Sequence, residues 1–595
     1  MTTARREILI VTPRPSIRSL YRSSLMKHLM KDNLKNYTEY EKSQVKKYEE
    51  SVHKETNERL SLKPEAKPLK GEKKPPARPT DIYKGKGRIK TFMSGFVEAA
   101  IVAGLVILQF VFIYVLSYRF MHSAYVYAII EIISFLIIVA LVNGSKSPSY
   151  KMAWIAIIAL LPLTGHIIYI LWGRHGVNKS LDDKVLYFIR RGNNYNKKDD
   201  KVLEAVEHRF PAKSRMVKYL QNFDMTVSAN NKVTYYDMAD KAFEAFFEDV
   251  RNAKKYILIN FFIVGEGALW DKLHELLLEK VKEGVKIKFL YDDFGSLWRV
   301  PKNFKQMLEA EGIEVAVFNP INRYISRLYM NYRSHQKILV IDGEIGYTGG
   351  FNLADEYVNL VNRFGTWKDT GIRIEGEGAW GLTVAFLQMW EVSKDKECID
   401  YNAFKTPRKF EKNDTFCQII IDGPANNPRN PIESMYSQII NSAKKYVYIT
   451  TPYLLIDDDM MKALVVAAEG GIDVRIVTPR IPDKKAVKLL TEYNYGPLLR
   501  LGVKIYEYNP GFIHAKCIIT ESCGIVGTIN MDYRSFYLHY ECGAFIIDPK
   551  VMLTIKEDIL TTLGKCKQIT YEEWQKRPLK NKLIQPILML FSPLM

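Results

Sequence analysis

Hydrophobic residues are concentrated in three long segments near the N-terminus, at 96–116, 124–142 and 152–172. Each segment has about the 20 consecutive apolar residues that a membrane-spanning helix needs. All three begin too far into the chain to be a cleaved signal peptide. The third contains Leu161-Pro-Leu-Thr-Gly165, a helix-breaking run that also suits a re-entrant or interfacial hairpin. Residues 93–175 are therefore predicted to form a membrane region.

The preceding residues, 1–92, are predicted to be a basic, largely disordered cytoplasmic tail, because a run of lysine and proline at 63–79 cannot form a helix or strand. A solvated tail and a polybasic segment lying on anionic lipid headgroups both fit this composition. The tail and the flank that begins at Arg174 are both basic, which favours the cytoplasmic side for both. An even number of crossings follows, so one of the three apolar segments is expected not to cross.

From residue 180 onward the pattern changes to that of an α/β protein. Short β-branched runs at 256–260 and 285–290 are typical of strands, and 271–282 has the apolar spacing of a helix. Two phrases then recur at the same offset of 190 residues: Ala253-Lys-Lys-Tyr matches Ala443-Lys-Lys-Tyr, and the run from Gly312 to Pro320 matches that from Gly502 to Pro510. A duplicated α/β domain is predicted, over 180–400 and 414–595.

The formal net charge of +19 indicates an anionic partner, and nucleic acid, anionic lipid and phosphate substrates would all satisfy it. Residues 1–90 hold 23 Lys+Arg and 11 Asp+Glu, so +12 of this charge lies in the tail. The basic excess is therefore mostly separate from the α/β domains. The six cysteines include no CxxC pair, which argues against a zinc or disulfide framework and favours reduced thiols.

Each α/β half contains a histidine two residues before a lysine, followed by a glycine turn. The first motif is Ser334-His-Gln-Lys-Ile-Leu-Val-Ile-Asp342 with Gly349-Gly-Phe-Asn352, and the second is Ile513-His-Ala-Lys-Cys-Ile-Ile-Thr-Glu521 with Gly527-Thr-Ile-Asn530. Alternate side chains of an extended strand share a face, so each histidine is expected to point with its lysine. Lysine binds a phosphate oxygen, while imidazole attacks phosphorus or protonates a leaving oxygen.

The candidate site consists of two such sets. The predicted catalytic residues are His335, Lys337, Asp342, His514, Lys516 and Glu521, and the predicted phosphate-binding residues are Asn352 and Asn530. No P-loop, nucleophile elbow or metal-ligand cluster competes with them, so no metal and no cofactor are predicted. Scattered carboxylates such as Asp292 and Asp457 are expected to cap helices rather than to hold magnesium.

These motifs resemble the phospholipase D superfamily, whose signature is HxKxxxxD followed by a glycine turn with Asn, and more narrowly the bacterial cardiolipin synthases. The resemblance extends over about residues 90–595. It rests on further matching segments, among them Tyr291-Asp-Asp-Phe-Gly-Ser296, Trp367-Lys-Asp-Thr370, Thr451-Pro-Tyr453 and Gly527-Thr-Ile-Asn-Met-Asp-Tyr-Arg-Ser-Phe536.

The resemblance implies two tandem phospholipase D-like domains packed around one active site. It implies a membrane-bound phosphatidyltransferase that converts two phosphatidylglycerol molecules into cardiolipin and glycerol through a phosphohistidine. His335 is expected to be the nucleophile and His514 the general acid and base, although the symmetry of the motifs leaves this order open. The partners implied are phosphatidylglycerol and an anionic bilayer, with no nucleic acid, and the location is the cell membrane, multi-pass, with the catalytic domains in the cytoplasm.

One departure from the signature bears on activity. The second motif has Glu521 where the family has Asp, and its glycine turn follows one residue sooner. This departure leaves an inactive membrane scaffold as one alternative. Two others also stay open: a phospholipase D-type hydrolase or another phosphatidyltransferase that uses the same site, because the motifs do not fix the acceptor, and a nuclease of the same superfamily, which would suit the net charge.

Overall fold

The computed structural model describes residues 104, 107–111, 114, 124–144, 148–161, 163–173, 179–320, 332–394, 398–424 and 429–594. The predicted tail, 1–92, and most of the apolar segment 96–116 lie outside these residues. The helices within them are Ala124–Asn143, Pro148–Leu160, Thr164–Ile168, the π-helix Tyr169–Gly173, Lys179–Asn193, Asp200–Arg209, Pro211–Gln221, Ala239–Asn252, Ala268–Lys282, Asp293–Ser296, Phe304–Ala310, Ala379–Lys394, Pro431–Asn441, Asp458–Glu469, Lys485–Arg500, Tyr533–Tyr537, Pro549–Leu563, Tyr571–Gln575 and Leu579–Phe591, with 3-10 turns at Asp355–Val358, Tyr401–Phe404 and Ser592–Leu594.

The predicted interruption of the third apolar segment is present. One helix ends at Leu160 and the next begins at Thr164. The buried side chain of Gln109 accepts hydrogen bonds from the backbone N–H groups of Leu163 and Thr164, at 3.2 and 3.1 Å, and so satisfies donors that a helix start leaves unpaired. Within the described residues, no helix has both the length and the apolar character to cross a membrane.

The first sheet has the strand order β2-β10-β8-β7-β3-β4-β5. Its strands are β2 (Asn231–Tyr236), β3 (Tyr256–Phe261), β4 (Lys286–Asp292), β5 (Glu314–Phe318), β7 (Ile338–Ile341), β8 (Ile345–Gly349) and β10 (Gly371–Gly376). The pairs β3–β4 and β4–β5 are parallel. The pairs β3–β7, β7–β8, β8–β10 and β10–β2 are antiparallel.

The second sheet repeats this arrangement as β11-β20-β18-β17-β12-β14-β15. Its strands are β11 (Phe416–Asp422), β12 (Tyr446–Thr450), β14 (Asp473–Pro479), β15 (Lys504–Tyr508), β17 (Cys517–Ile519), β18 (Cys523–Gly527) and β20 (His539–Ile547). The sheet is extended by β1 (Val227–Ser228) next to β11 and by β21 (Cys566–Ile569) next to β15. Tyr256 of β3 and Tyr446 of β12 occupy equivalent places, and their separation is the predicted offset of 190 residues. The prediction of a duplicated α/β domain is confirmed.

The apolar core has three layers. A central layer lies between the sheets and combines residues of both, such as Leu258 and Ile372 with Cys517 and Ala544. The helix Ala379–Lys394 belongs to this layer and is buried along nearly its whole length, because apolar residues cover almost all of its surface. An outer layer covers the far side of each sheet. The two halves thus share one core, which fixes their relative position.

Residues 200–228 pack on the second sheet, although the predicted boundaries group them with the first domain. Val206, Val217 and Leu220 are fully buried in the outer layer of the second sheet. The helices Asp200–Arg209 and Pro211–Gln221 each bury an apolar face in that layer, whereas the helices Ala239–Asn252 and Ala268–Lys282 cover the outer side of the first sheet.

Candidate active site

Two small interdomain ladders position the histidine motifs. β6 (Arg333–Ser334) runs parallel to the start of β20 of the other domain, and β16 (Gly511–Ile513) runs parallel to β9 (Thr366–Lys368). The backbone N–H of His335 donates to the carbonyl of Tyr540 at 2.9 Å, and that of His514 donates to the carbonyl of Lys368 at 2.7 Å. Each motif is therefore held by a strand from the opposite half.

A carboxylate from the opposite domain orients each histidine. Nδ1 of His335 lies 2.9 and 3.0 Å from the two carboxylate oxygens of Glu541. Nδ1 of His514 lies 2.6 Å from Oδ2 of Asp369. Both carboxylates are fully buried, and Thr528 Oγ1 also donates to Glu541. A carboxylate at Nδ1 fixes the ring and leaves Nε2 for chemistry.

Sequence reasoning missed Asp369 and Glu541, because each lies in the half opposite to the histidine it serves. The sheet register shows that they are equivalent: Gly371 pairs with Gly349, and Gly543 pairs with Gly527, and each carboxylate precedes its glycine by two residues. The available signal was an acidic residue two positions before a glycine, as in Asp369-Thr-Gly and Glu541-Cys-Gly. That signal is too short to be recognised without the register.

The glycine turn of the first motif lies directly against this machinery. A Cβ atom on Gly350 would lie 2.1 Å from Oδ1 of Asp369 and 2.9 Å from the carbonyl oxygen of His514. Both distances are far below van der Waals contact. Glycine is therefore required here, because the turn lies against Asp369 of its own domain and against the backbone of His514 in the other.

The two lysines lie beside the histidines, and both are almost completely buried. Lys337 Nζ donates to the carbonyl oxygen of His335 at 2.6 Å, and Lys516 Nζ donates to that of His514. Burial lowers the pKa of Lys337 to about 7, and it lowers the pKa of Lys516 to about 8. The charge of Lys516 contributes to the lowered pKa of Lys337, so the two motifs face a common space.

Burial, with the nearby cations, also holds both imidazoles neutral at pH 7. The pKa of His335 lies well below its usual value, and desolvation followed by the charge of Lys337 is the cause. Burial and then Lys516 lower the pKa of His514 to about 4, against the opposing effect of Asp369. Burial raises the pKa of Glu541 to about 8, with Lys337 opposing the shift. A donor phosphate between the motifs would counter these shifts, because its negative charge favours protonated histidine and lysine.

The structure does not bring Asp342 and Glu521 to this space. Asp342 lies beyond the far end of β7, and its carboxylate accepts hydrogen bonds of 2.8, 2.8 and 2.9 Å from the backbone N–H groups of Lys254, Lys255 and Tyr256. Glu521 accepts from the equivalent N–H of Lys444 at 3.2 Å. The expectation that these two residues share in the chemistry is therefore corrected: they close a loop at the outer end of each motif strand. The change from Asp to Glu accordingly bears on the outside of the domain rather than on the reacting groups.

Asn352 and Asn530, predicted to bind phosphate, lie in the two glycine turns and are both buried. Asn352 accepts from the backbone N–H of Ile263 at 3.0 Å and donates to the Tyr357 hydroxyl at 2.8 Å. Oδ1 of Asn530 has no hydrogen-bond partner among the described residues. The first asparagine is thus held by its own domain, and the second has an unused acceptor.

The carboxylates predicted to be helix caps are caps. Asp292 accepts from the N–H groups of Phe294 and Gly295, at the start of the helix Asp293–Ser296, and Asp457 accepts from that of Met460. Within the described residues, one set of side chains offers the donor atoms of a metal site: His335, His539 and Glu541, whose ligand atoms lie within 4.8 Å of one another. Nitrogen and carboxylate donors of this kind suit zinc, but the cations around them oppose a positive ion.

Comparison with known proteins agrees with the geometry. A family model described as "Cardiolipin synthase, PLD-like domain" matches residues 246–363 and 436–561, and one described as "Phospholipase_D-nuclease N-terminal" matches 124–174. The chain is 37% identical to an uncharacterized protein of Streptococcus mutans, with 76% of this chain and 98% of the relative covered. It is 32% identical to a cardiolipin synthase of Halalkalibacterium halodurans (76% and 90% covered) and 33% identical to cardiolipin synthase 1 of Staphylococcus aureus (78% and 96% covered). The chain belongs to the cardiolipin synthase family of phospholipase D-like proteins.

Proposed function

We propose that the protein is a phosphatidyltransferase that makes cardiolipin and glycerol from two phosphatidylglycerol molecules through a phosphohistidine. The observation that carries the proposal is the pair of buried histidines, each oriented at Nδ1 by a carboxylate of the opposite domain and each accompanied by a lysine. Two imidazoles facing one phosphate allow a difficult displacement to be divided into two easier ones.

In the first half-reaction, Nε2 of His335 attacks the phosphorus of the donor lipid. The phosphorus–oxygen bond to the headgroup glycerol breaks, and His514 gives its Nε2 proton to the departing oxygen. The imidazole of His514 is neutral in the free protein, so the donor phosphate must raise its pKa before this transfer. Lys337 and Lys516 hold the phosphate oxygens while negative charge develops.

In the second half-reaction, the free hydroxyl of another phosphatidylglycerol attacks the phosphohistidine. His514, now neutral, removes the hydroxyl proton, a phosphorus–oxygen bond forms and the bond from phosphorus to Nε2 of His335 breaks. Asn530 offers an amide to the phosphate in either step. The carboxylate of Glu541 stabilises the positive ring of the phosphohistidine, since it lies within hydrogen-bond distance of Nδ1.

We also propose that the protein works at the cell membrane, multi-pass, with its catalytic domains in the cytoplasm. Large apolar side chains are exposed on the helix Ala124–Asn143, such as Phe135. On the C-terminal helix Leu579–Phe591, the exposed residues Leu579, Leu583 and Ile587 recur every fourth position and so form one apolar stripe. Lys580 and Lys582 flank this stripe, which suits an anionic bilayer surface.

The test uses the full chain, purified and added to phosphatidylglycerol vesicles in the presence of a chelator. Equal amounts of cardiolipin and free glycerol are expected, and His335→Ala should abolish both products. Phosphatidic acid as the sole phospholipid product would instead identify a hydrolase, the main alternative. Turnover in His335→Ala equal to that of the parent would overturn the assigned chemistry.

A scaffold without activity and a nuclease are both less well supported. The scaffold was suggested by Glu521, which lies on the outer loop rather than among the reacting groups. The nuclease was suggested by the net charge, most of which belongs to the tail. Cleavage of a DNA or RNA substrate in the same assay would favour the nuclease.

A further inference from the structure

A third histidine, His539, lies beside His335. The two imidazole ring centroids are 5.4 Å apart, and the ring of Phe262 lies against both. His539 is 7% exposed, and its Nδ1 atom is buried without a hydrogen-bond partner among the described residues. The closest carboxylate oxygen, on Glu541, is 3.9 Å away and beyond hydrogen-bond distance. A buried polar atom of this kind is costly to leave unpaired, so it indicates a ligand.

The charged side chains around His539 indicate whether its ligand is positively or negatively charged. Its pKa lies well below the usual value because of burial and then the charges of Arg534, Lys337, Lys484 and Arg333. Glu541, the nearest carboxylate, does not reverse this shift. A field that repels a proton from an imidazole attracts an anion to the same place. The ligand of His539 is therefore expected to be anionic.

The proposed reaction requires two phosphates side by side. One is the phosphorus that His335 attacks, and the other belongs to the acceptor lipid, whose attacking hydroxyl is separated from its own phosphate by three carbon atoms. At ordinary bond lengths this chain extends about 6 Å. The ring centroids of His335 and His539 are 5.4 Å apart, so a phosphate bound at His539 lies next to the phosphorus that His335 attacks.

We propose that His539, with Arg534 and Lys484, binds the phosphodiester of the acceptor phosphatidylglycerol. This subsite rests on the proposed function and explains acceptor choice: a charged acceptor is held next to the phosphohistidine, whereas water and neutral alcohols gain nothing from it. An N–H of His539 donates to a non-bridging oxygen of the acceptor phosphate. The acceptor hydroxyl then replaces His335 on phosphorus and loses its proton to His514.

A pair of soluble acceptors tests the subsite. Glycerol and glycerol 3-phosphate differ only by a phosphate, and both are supplied together to the full chain acting on phosphatidylglycerol vesicles. With isotopically labelled glycerol, the products are labelled phosphatidylglycerol and phosphatidylglycerophosphate, and both arise from one phosphohistidine. The ratio of products at equal acceptor concentration therefore reports the second half-reaction alone, independently of the rate at which the intermediate forms.

The parent is expected to prefer glycerol 3-phosphate. In His539→Ala the ratio should fall about tenfold or more, the loss typical of one hydrogen bond to a charged group. His539→Gln, which keeps an N–H donor, should restore part of the preference. His208→Ala, a substitution of an exposed histidine on the helix Asp200–Arg209, is the matched control and should leave the ratio unchanged.

The outcomes separate the two proposals. No preference in the parent, or an unchanged ratio in both His539 variants, would overturn the subsite while leaving the transferase intact. An equal fall in both products would show that His539 only positions His335, which also overturns the subsite. A parent that makes cardiolipin but neither of these products would overturn the subsite alone, whereas a parent that makes no cardiolipin either would overturn the proposed function together with the subsite.

Discussion

The substitution Glu541→Gln tests how the first histidine is prepared for attack. It preserves the size of the side chain but replaces the carboxylate with an amide that presents either N–H or C=O to Nδ1. When the amide donates, the imidazole proton moves to Nε2 and the ring loses its nucleophilic lone pair. The corresponding change in a serine protease triad has this effect on the histidine tautomer.

The expected magnitude follows from the contacts. Both oxygens of Glu541 lie within 3.0 Å of Nδ1, and the residue is 0% exposed, so water cannot replace it. A hydrogen bond to a charged group contributes about 1.5–3 kcal/mol, which corresponds to about 10- to 150-fold in rate. Because the tautomer is also wrong, we expect kcat for cardiolipin formation to fall about 100-fold or more.

The assay is the initial rate of cardiolipin formation in phosphatidylglycerol vesicles, with circular dichroism to show that the variant is folded. Glu311→Gln is the matched control, because Glu311 pairs with His274 at 2.7 Å at the surface of the first domain. The control should stay within twofold of the parent. A Glu541→Gln protein that retains more than half of the parental kcat would refute the assigned role of the carboxylate.

Three further predictions concern the lysines, the outer loops and the glycine turn. Phosphate binding needs charged Lys337 and Lys516, whose pKa values are about 7 and 8. Their charge is present at low pH and is lost as the pH rises through these values, so kcat/KM should fall between pH 7 and 9. A flat pH profile of kcat/KM would contradict this role of the lysines. Asp342→Ala removes the acceptor of three backbone N–H groups and should lower the free energy of unfolding by about 2–3 kcal/mol in urea titrations, with a smaller loss in Glu521→Ala. The folded fraction of each variant should keep the parental kcat. A large fall in kcat without loss of stability would show that Asp342 takes part in the reaction. Gly350→Ala should reduce kcat about tenfold or more at unchanged KM, because the added methyl group displaces Asp369, the orienting carboxylate of the first domain. Full activity would show that Asp369 can move without loss of its effect on His514.

The α/β class, the duplication and the place of the reacting histidines could be predicted because each depends on residues close together in sequence. His335 and Lys337 are two positions apart, and Tyr256 recurs as Tyr446 at the repeat offset. The orienting carboxylates could not be predicted in the same way, since Glu541 reaches His335 only after the domains have packed.

The sequence motif also combines residues that react with residues that only hold the backbone, and the motif pattern alone does not distinguish the two kinds. Asp342 is as regular a part of the signature as His335, yet a short strand carries it away from the reacting space to three backbone N–H groups. The role of His539 was hidden for the opposite reason, because it lies outside the signature and acquires meaning only from its neighbour and the cations around it.

The most direct test of the central claim is to trap the phosphohistidine. A phosphatidyl donor with a good leaving group, such as a nitrophenol, needs no general acid, so His514→Ala should complete the first step with one equivalent of nitrophenol and then stop for lack of a base. Mass spectrometry of the quenched protein is expected to find the phosphatidyl group on the peptide that contains His335, and on no peptide in the His335→Ala variant. A label on His514 in His335→Ala, or nitrophenol release in the absence of any labelled histidine, would contradict the account.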